Sequence, residues 1–136
     1  MTSTVLYKGG LRCELKHLQS GTIIENDAPT DNHGLGARFS PTDMVATALA
    51  SCMLTTMGIV GNDKGITIDG SEAEVVTKIM TSNPRMIGEI QIKLIMRGPN
   101  SFTDKEKAII ENIAVTCPVY RSLHPDVKKT LEIVWA

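Results

Sequence analysis

The sequence is poor in aromatic side chains and has no excess of either charge. Phe, Trp and Tyr make up 4% of its 136 residues, whereas seven methionines accompany many aliphatic side chains. The core is therefore expected to be aliphatic and adaptable, because methionine fills irregular gaps. The net charge is −1. Without a basic surplus, nucleic acid is not an expected partner.

Patterns that mark common metal and cofactor sites are also missing. The chain has three cysteines without a Cys-x-x-Cys pair, and its three histidines lie in separate contexts. Neither a zinc ribbon nor a thioredoxin-type motif is therefore predicted, and we expect no metal and no cofactor. The first residues contain no charged leader before an apolar run. Together with unpaired thiols, this predicts a cytoplasmic protein.

The length favours a single domain over residues 1–136. In its first half, apolar and polar residues alternate. Residues 5–25 are typical of a β-meander, with Leu11, Cys13, Leu15 and His17 on one face. A loop rich in Asn, Asp, Gly and Pro follows.

The segment "SPTD" at residues 40–43 predicts the start of a long helix. Ser40 is a suitable cap, Pro41 suits the first helical position, and Asp43 complements the helix dipole. No charged residue occurs from Met44 to Val60, and Gly61-Asn62 is the expected end. This length approaches that of a membrane span, but Ser and Thr interrupt the run. We therefore prefer a central helix that is covered on nearly every side, and we expect no membrane as a partner.

The second half predicts two long strands and a mixed C-terminal part. "EAEVVTKIM" and "EIQIKLIMR" alternate and are expected to pair antiparallel, whereas "TLEIVW" is a final strand. Thr103 and Glu106 have the spacing of a capping box ahead of an apolar helix, and a short helix is expected from Cys117-Pro118. This irregular alternation of strands and helices predicts an α+β fold.

Cys52 and Cys117 are either inert packing residues or the two halves of one redox pair. Cys52 lies in the apolar helix, where burial favours an inert thiol unless another segment brings a cation. Arg38, in the loop before the helix, is the first candidate for that cation, and Arg12 is the second. Cys117 either gains thiolate character from a helix start or simply fills the cap position. Cys13 is interpreted as a packing residue.

Taken together, "SPTD", "ASCM" within the long helix, and the later "CPVYRSL" resemble the OsmC/Ohr family of osmotically inducible and organic hydroperoxide resistance proteins. The resemblance spans most of the chain. It implies an OsmC-like α+β fold with strongly curved antiparallel sheets packed on a long central apolar helix. It also implies an intertwined homodimer with its active sites at the dimer interface.

The resemblance further implies thiol-dependent reduction of organic hydroperoxides. Cys52 corresponds to the peroxidatic cysteine, Cys117 to the resolving cysteine, and Arg38 to the activating arginine. A dithiol or lipoyl-type compound would be the reductant. Well-characterised members carry Asn-Pro-Glu at the helix start, with the glutamate holding the arginine. This chain has Thr42 at that position and Asp43 after it, so both are supporting candidates.

Two further hypotheses remain open from the sequence. The same fold could bind a small apolar ligand or sense thiol stress without efficient turnover, which the Thr42 departure motivates. Alternatively, it could be a structural or interaction protein whose thiols are incidental core residues.

Overall fold

The computed structural model describes all residues 1–136, which divide into two compact units, Met1–Val45 and Ala46–Ala136. Each unit contains its own three-stranded sheet. The interpretation of residues 1–136 as a single OsmC-like domain stays a prediction.

The first unit is built on an antiparallel meander. Strands β1 (Ser3–Gly9), β2 (Arg12–His17) and β3 (Ile23–Asp27) pair in chain order. A single 3-10 turn, Thr30–Asn32, follows in the predicted loop. The meander is therefore confirmed. Leu11 was wrongly placed on the strand face: it lies in the β1–β2 turn with a left-handed φ of 62°.

The long helix α1 (Pro41–Lys64) begins where its capping residues predict. The Ser40 hydroxyl accepts the Asp43 backbone N–H at 3.0 Å, and the Asp43 carboxylate accepts the Ser40 N–H at 3.0 Å. This reciprocal pair satisfies two donors that the first turn leaves free. The predicted end at Gly61-Asn62 is wrong, because the helix continues to Lys64 and stops before Gly65, whose φ of 71° is left-handed.

Helix α1 is buried along one stripe only. The stripe follows helical spacing and consists of Ala46, Leu49, Ala50, Met53, Met57 and Gly61. On another side, Ile59 is 62% exposed. The sequence predicted a helix covered on nearly every side. Within a single chain this prediction is wrong, because only one stripe of α1 is buried. By length and mean hydropathy (1.7) it is one helix that could cross a membrane, a test that core helices of soluble proteins also pass.

The second unit contains a sheet of mixed direction. Strands β4 (Glu72–Met80) and β5 (Ile87–Met96) pair antiparallel, as predicted. Strand β6 (Lys128–Trp135) runs parallel to β5, whereas the family resemblance implied antiparallel sheets. Alternate residues of β5 are fully buried and form the floor of the core, namely Ile90, Ile92, Leu94 and Met96.

Two helices connect β5 to β6. Helix α2 (Asp104–Ala114) has the predicted capping box, with the Thr103 hydroxyl accepting the Glu106 N–H at 3.2 Å and the Glu106 carboxylate accepting the Thr103 N–H at 2.8 Å. Helix α3 (Pro118–Ser122) starts directly after Cys117, also as predicted. A parallel pair requires such a crossover connection. The α+β fold class is confirmed.

Two glycines of α1 form a matched pair for testing the core. A Cβ at Gly61 would clash with the carbonyl oxygen of Ile66, whereas a Cβ at Gly58 would meet nothing within 4 Å. We expect Gly61→Ala to lower the free energy of unfolding by about 1–3 kcal/mol through overpacking. Gly58→Ala should raise it by up to about 1 kcal/mol through helix propensity. Urea unfolding measures both, and equal effects would contradict this account of the helix end.

Candidate active site

The second unit brings Cys52 and Cys117 together. Cys52 lies in the middle of α1, and its sulfur accepts the backbone N–H of Val119, in the first turn of α3, at 3.5 Å. The Thr56 hydroxyl, one turn further along α1, lies 3.8 Å from the same sulfur. The Cys117 thiol is a neighbour of Cys52, and each thiol affects the pKa of the other. Two segments remote in the sequence thus converge on one sulfur.

The surroundings of Cys52 favour its thiolate. Burial raises the pKa of this thiol, but hydrogen bonds from the Val119 N–H, the Thr56 hydroxyl and the Cys117 thiol lower it by more. The resulting pKa lies below the ordinary value for a cysteine. Hydrogen bonding to a charged form stabilises that form, and a thiolate is the nucleophilic state of cysteine.

Cys117 has the opposite character. Its side chain is fully buried, and burial raises its pKa. The Tyr120 N–H opposes this effect, but the hydrogen bond to Cys52 and the negative charge there raise the pKa of Cys117 further. Its position just before Pro118 is the predicted N-cap of α3. Of the two interpretations left open by the sequence, the raised pKa does not support thiolate character, because burial and Cys52 outweigh the N–H groups at the start of α3.

The third cysteine, Cys13, belongs to the other unit. It lies in β2, half-buried, opposite Tyr7 on β1 and Asn26 on β3. The Cys13 side chain therefore shares one face of this sheet with those of Tyr7 and Asn26, and its interpretation as a packing residue stays a prediction.

Arg12 is held rigidly within the first unit. Its Nε donates to Asp27 Oδ1 at 2.6 Å and its Nη2 donates to Asp27 Oδ2 at 2.9 Å. The Asp27 side chain is only 2% exposed. The hydrogen bond and charge of Arg12 lower the pKa of Asp27, and those of Asp27 raise the pKa of Arg12. Two parallel hydrogen bonds fix a guanidinium in one orientation.

Arg38 is more loosely held in the same unit. Its Nη1 donates to the carbonyl of the adjacent Ala37 at 3.0 Å, and its Nη2 lies 3.7 Å from Glu25. Glu25 also accepts a hydrogen bond from Lys8 at 3.1 Å, which lowers the pKa of the Glu25 carboxyl. The Arg38 side chain is about half exposed.

Thr42 and Asp43 both contribute to the start of α1. The Thr42 hydroxyl lies 3.2 Å from that of Ser40, and the Asp43 carboxylate closes the capping box with the same residue. Each predicted supporting residue therefore has a structural role at the helix start.

Sequence reasoning missed the two donors to Cys52. Thr56 could have been found, because residues four apart share one face of a helix. The Val119 donor is a backbone group, so no side-chain pattern marks it; only the contact between α1 and α3 reveals it.

The family follows from comparison with known proteins. The sequence profile described as OsmC-like protein matches residues 33–132. This chain belongs to the OsmC-like family. The resemblance noted from the sequence is thereby confirmed. No curated protein sequence matches the chain.

Solved structures of OsmC-like proteins share its fold. A protein of Psychrobacter arcticus 273-4, provisionally described as an osmotic stress induced and detoxification response protein, is 47% identical, with a TM-score of 0.90 over 98% of this chain and 95% of that one. An organic hydroperoxide resistance protein OsmC of Legionella pneumophila is 18% identical, with a TM-score of 0.71 over 98% and 97%. OhrB of Bacillus subtilis, an organic hydroperoxide resistance protein, is 22% identical, with a TM-score of 0.66 over 98% of each chain.

The role of Thr56 in this OsmC-like chain can be tested by a substitution that removes only its hydroxyl. Thr56→Val keeps the shape but removes one of the hydrogen bonds that lower the pKa of Cys52. We expect the pH midpoint of Cys52 alkylation by iodoacetamide to move upward, because the thiolate loses a donor. Mass spectrometry of the labelled peptide follows the rate at each pH.

The matched control is Thr55→Val, which removes a hydroxyl from an exposed position of the same helix. It should leave the midpoint unchanged. An unchanged midpoint in Thr56→Val would contradict the contribution assigned to this hydroxyl.

Proposed function

We propose that this OsmC-like protein is a cysteine-based peroxidase that reduces organic hydroperoxides. The proposal depends on one observation above all. The Cys52 sulfur, in the middle of α1, accepts the Val119 N–H at 3.5 Å and lies 3.8 Å from the Thr56 hydroxyl, beside the fully buried Cys117, and these surroundings lower the pKa of Cys52 and raise that of Cys117. A stabilised thiolate beside a protonated thiol is the arrangement that a peroxidatic and a resolving cysteine require.

The proposed reaction begins at the Cys52 sulfur. The thiolate attacks the terminal oxygen of the hydroperoxide, the O–O bond breaks, and an alkoxide leaves that takes a proton to become an alcohol. Sulfur is oxidised to a sulfenic acid while the peroxide is reduced by two electrons. Cys117 then attacks that sulfur, a disulfide forms and water leaves. An external dithiol, such as a lipoyl compound, reduces the disulfide by exchange and is itself oxidised.

Names of related proteins agree with this chemistry. The Legionella pneumophila and Bacillus subtilis proteins that share the fold are called organic hydroperoxide resistance proteins. The partly apolar surroundings of Cys52, half-buried beside the hydrophobic core, suit an alkyl peroxide. We propose that the substrate is an organic hydroperoxide and that the protein works in the reducing cytoplasm.

A guanidinium from the Met1–Val45 unit, of the same chain or of a second copy, is proposed to assist Cys52. The sequence favoured Arg38 over Arg12. The rigid bidentate pairing of Arg12 with buried Asp27 now favours Arg12, because a preorganised cation stabilises developing charge without reorganising. Asp27 would then hold the arginine as the glutamate does in well-characterised members, where this chain has Thr42.

We also propose a homodimer. One face of the first sheet carries aligned apolar side chains, with Val5 opposite Leu15 and Leu15 opposite Ile24. Val5 is 62% exposed and Tyr7 on the same face is 61% exposed. Contiguous apolar surface of this kind favours association. Sedimentation equilibrium should give twice the 14.7 kDa chain mass, and a stable monomer at micromolar concentration would refute the dimer.

The peroxidase proposal is tested with purified protein, dihydrolipoamide, and cumene hydroperoxide against hydrogen peroxide. We expect faster turnover with cumene hydroperoxide, and a Cys52–Cys117 disulfide by mass spectrometry after oxidation. Cys52→Ser should reduce turnover to background, whereas Cys117→Ser should trap a sulfenic acid at position 52. Cys13→Ser is the control and should behave like the unchanged protein.

The two arginines are compared in the same assay. Arg12→Lys keeps the charge but loses the paired hydrogen bonds, and should slow turnover on the order of tenfold. Arg38→Lys should have the smaller effect. The reverse order would return the assignment to Arg38, and full activity in both would remove arginine from the proposal.

A second candidate function is a small-molecule binding or thiol-sensing role without turnover. Asp43 is engaged in capping α1, and Thr42 carries no charge. The helix start therefore does not reproduce the glutamate of efficient peroxidases. Oxidation of both thiols without catalytic turnover in the peroxide assay would favour this role.

A further inference from the structure

Strand β6 carries a lysine on the face that packs against the core. Lys129 pairs with the fully buried Ile90 of β5 and is itself half-buried. Alternate residues of a strand point to the same side, so Lys129 shares its face with three apolar side chains, namely Leu131, Ile133 and Trp135. Lysine is seldom placed on such a face unless its ammonium group has partners at the edge of the core.

The ammonium group of Lys129 has two such partners. Its Nζ lies 4.8 Å from the centroid of the Tyr120 ring in α3. The same atom donates to the carbonyl oxygen of buried Val127 at 3.2 Å. The face of an aromatic ring attracts a cation, most strongly where water is partly excluded. Lys129 therefore joins strand β6 to helix α3.

Helix α3 needs contacts of this kind to keep its position. It contains only five residues, and a helix that short is not stable by itself in water. Its first turn carries the Val119 N–H, which donates to the Cys52 sulfur at 3.5 Å. Tyr120, whose ring contacts Lys129, is the next residue along the chain. A displacement of the Tyr120 ring would therefore also move the donor away from the sulfur.

We propose that Lys129 is a positioning residue for the thiol pair: its contact with the Tyr120 ring holds the first turn of α3 against α1, so that the Val119 N–H reaches the Cys52 sulfur. Lys129 acts through the position of α3 and not on the reacting atoms. The inference goes beyond the proposed function and rests on it only for the effect on peroxide turnover.

The opposite end of β6 offers a matched control. There Lys107 of α2, also half-buried, lies with its Nζ 5.3 Å from the centroid of the Trp135 ring. This contact has the same chemistry as that between Lys129 and Tyr120, but it joins the strand to α2 rather than to α3. Removing the Lys107 charge therefore reports the general effect of losing a cation–π contact in this unit.

The test substitutes the two lysines and follows the pH dependence of Cys52 alkylation by iodoacetamide. Lys129→Met keeps the aliphatic stem but removes the charge. We expect the midpoint to move upward, because the thiolate loses a donor. Below the midpoint, labelling should slow roughly threefold, the size of an exposed cation–π contact. Lys129→Arg keeps the cation and should restore the rate, whereas Lys107→Met should leave the midpoint unchanged.

Variants of Tyr120 separate positioning from a direct effect of the lysine charge on the thiol. Tyr120→Leu removes the ring but keeps the ammonium group, and it should raise the midpoint as Lys129→Met does. Tyr120→Phe keeps the ring and should match the unmodified protein. Cys117, the other titratable group beside Cys52, is unchanged in every variant. A shift in Lys129→Met without one in Tyr120→Leu would overturn the proposal, and so would equal shifts in Lys129→Met and Lys107→Met.

Two further measurements connect α3 to the thiols. Cys117 is fully buried, and it should be labelled faster in Lys129→Met than in Lys107→Met because α3 is held less firmly. In the peroxide assay at a pH below the midpoint, Lys129→Met should lower turnover by the same factor as labelling of Cys52. A shifted midpoint in a protein without peroxide turnover would refute the peroxidase alone. An unshifted midpoint in a protein with normal turnover would refute the positioning role alone.

Discussion

The contact between the Val119 backbone N–H and the Cys52 sulfur is the constraint on which the site depends. It requires α1 and the first turn of α3 to be in register, and that register also places Cys117 beside Cys52. Because the donor is a backbone N–H, a substitution at Val119 keeps this hydrogen bond as long as α3 stays packed against α1. The buried β5 floor and the α2–α3 connection serve this alignment.

Much of the fold was predictable because its local signals are strong. Two reciprocal capping pairs, at Ser40 and at Thr103, fixed both helix starts, and alternation located every strand of the second sheet. The end of α1 was not predictable, because Gly61 is retained for close packing against the Ile66 carbonyl rather than as a stop. The direction of β6 was also hidden, since alternation is the same in parallel and antiparallel strands.

The site was predictable only in part, and the reasons are physical. Cys52 and Cys117 are marked by their sequence contexts, and the family resemblance joined them. The opposite shifts of their pKa values come from burial and hydrogen bonds that exist only after folding. The sequence favoured Arg38 for its closeness along the chain. It could not show that Arg12 is directly opposite Asp27, which depends on the pairing of β2 with β3.

The parallel pairing of β5 with β6 has a consequence for biosynthesis. An antiparallel neighbour can pair as soon as a short turn is made, but β6 must wait until the whole crossover through α2 and α3 has left the ribosome. The β4–β5 hairpin then presents an unfilled edge during translation. Cys117 lies within that crossover, so the thiol pair is assembled only after the β4–β5 hairpin has been made, and β6 then completes the three-stranded sheet.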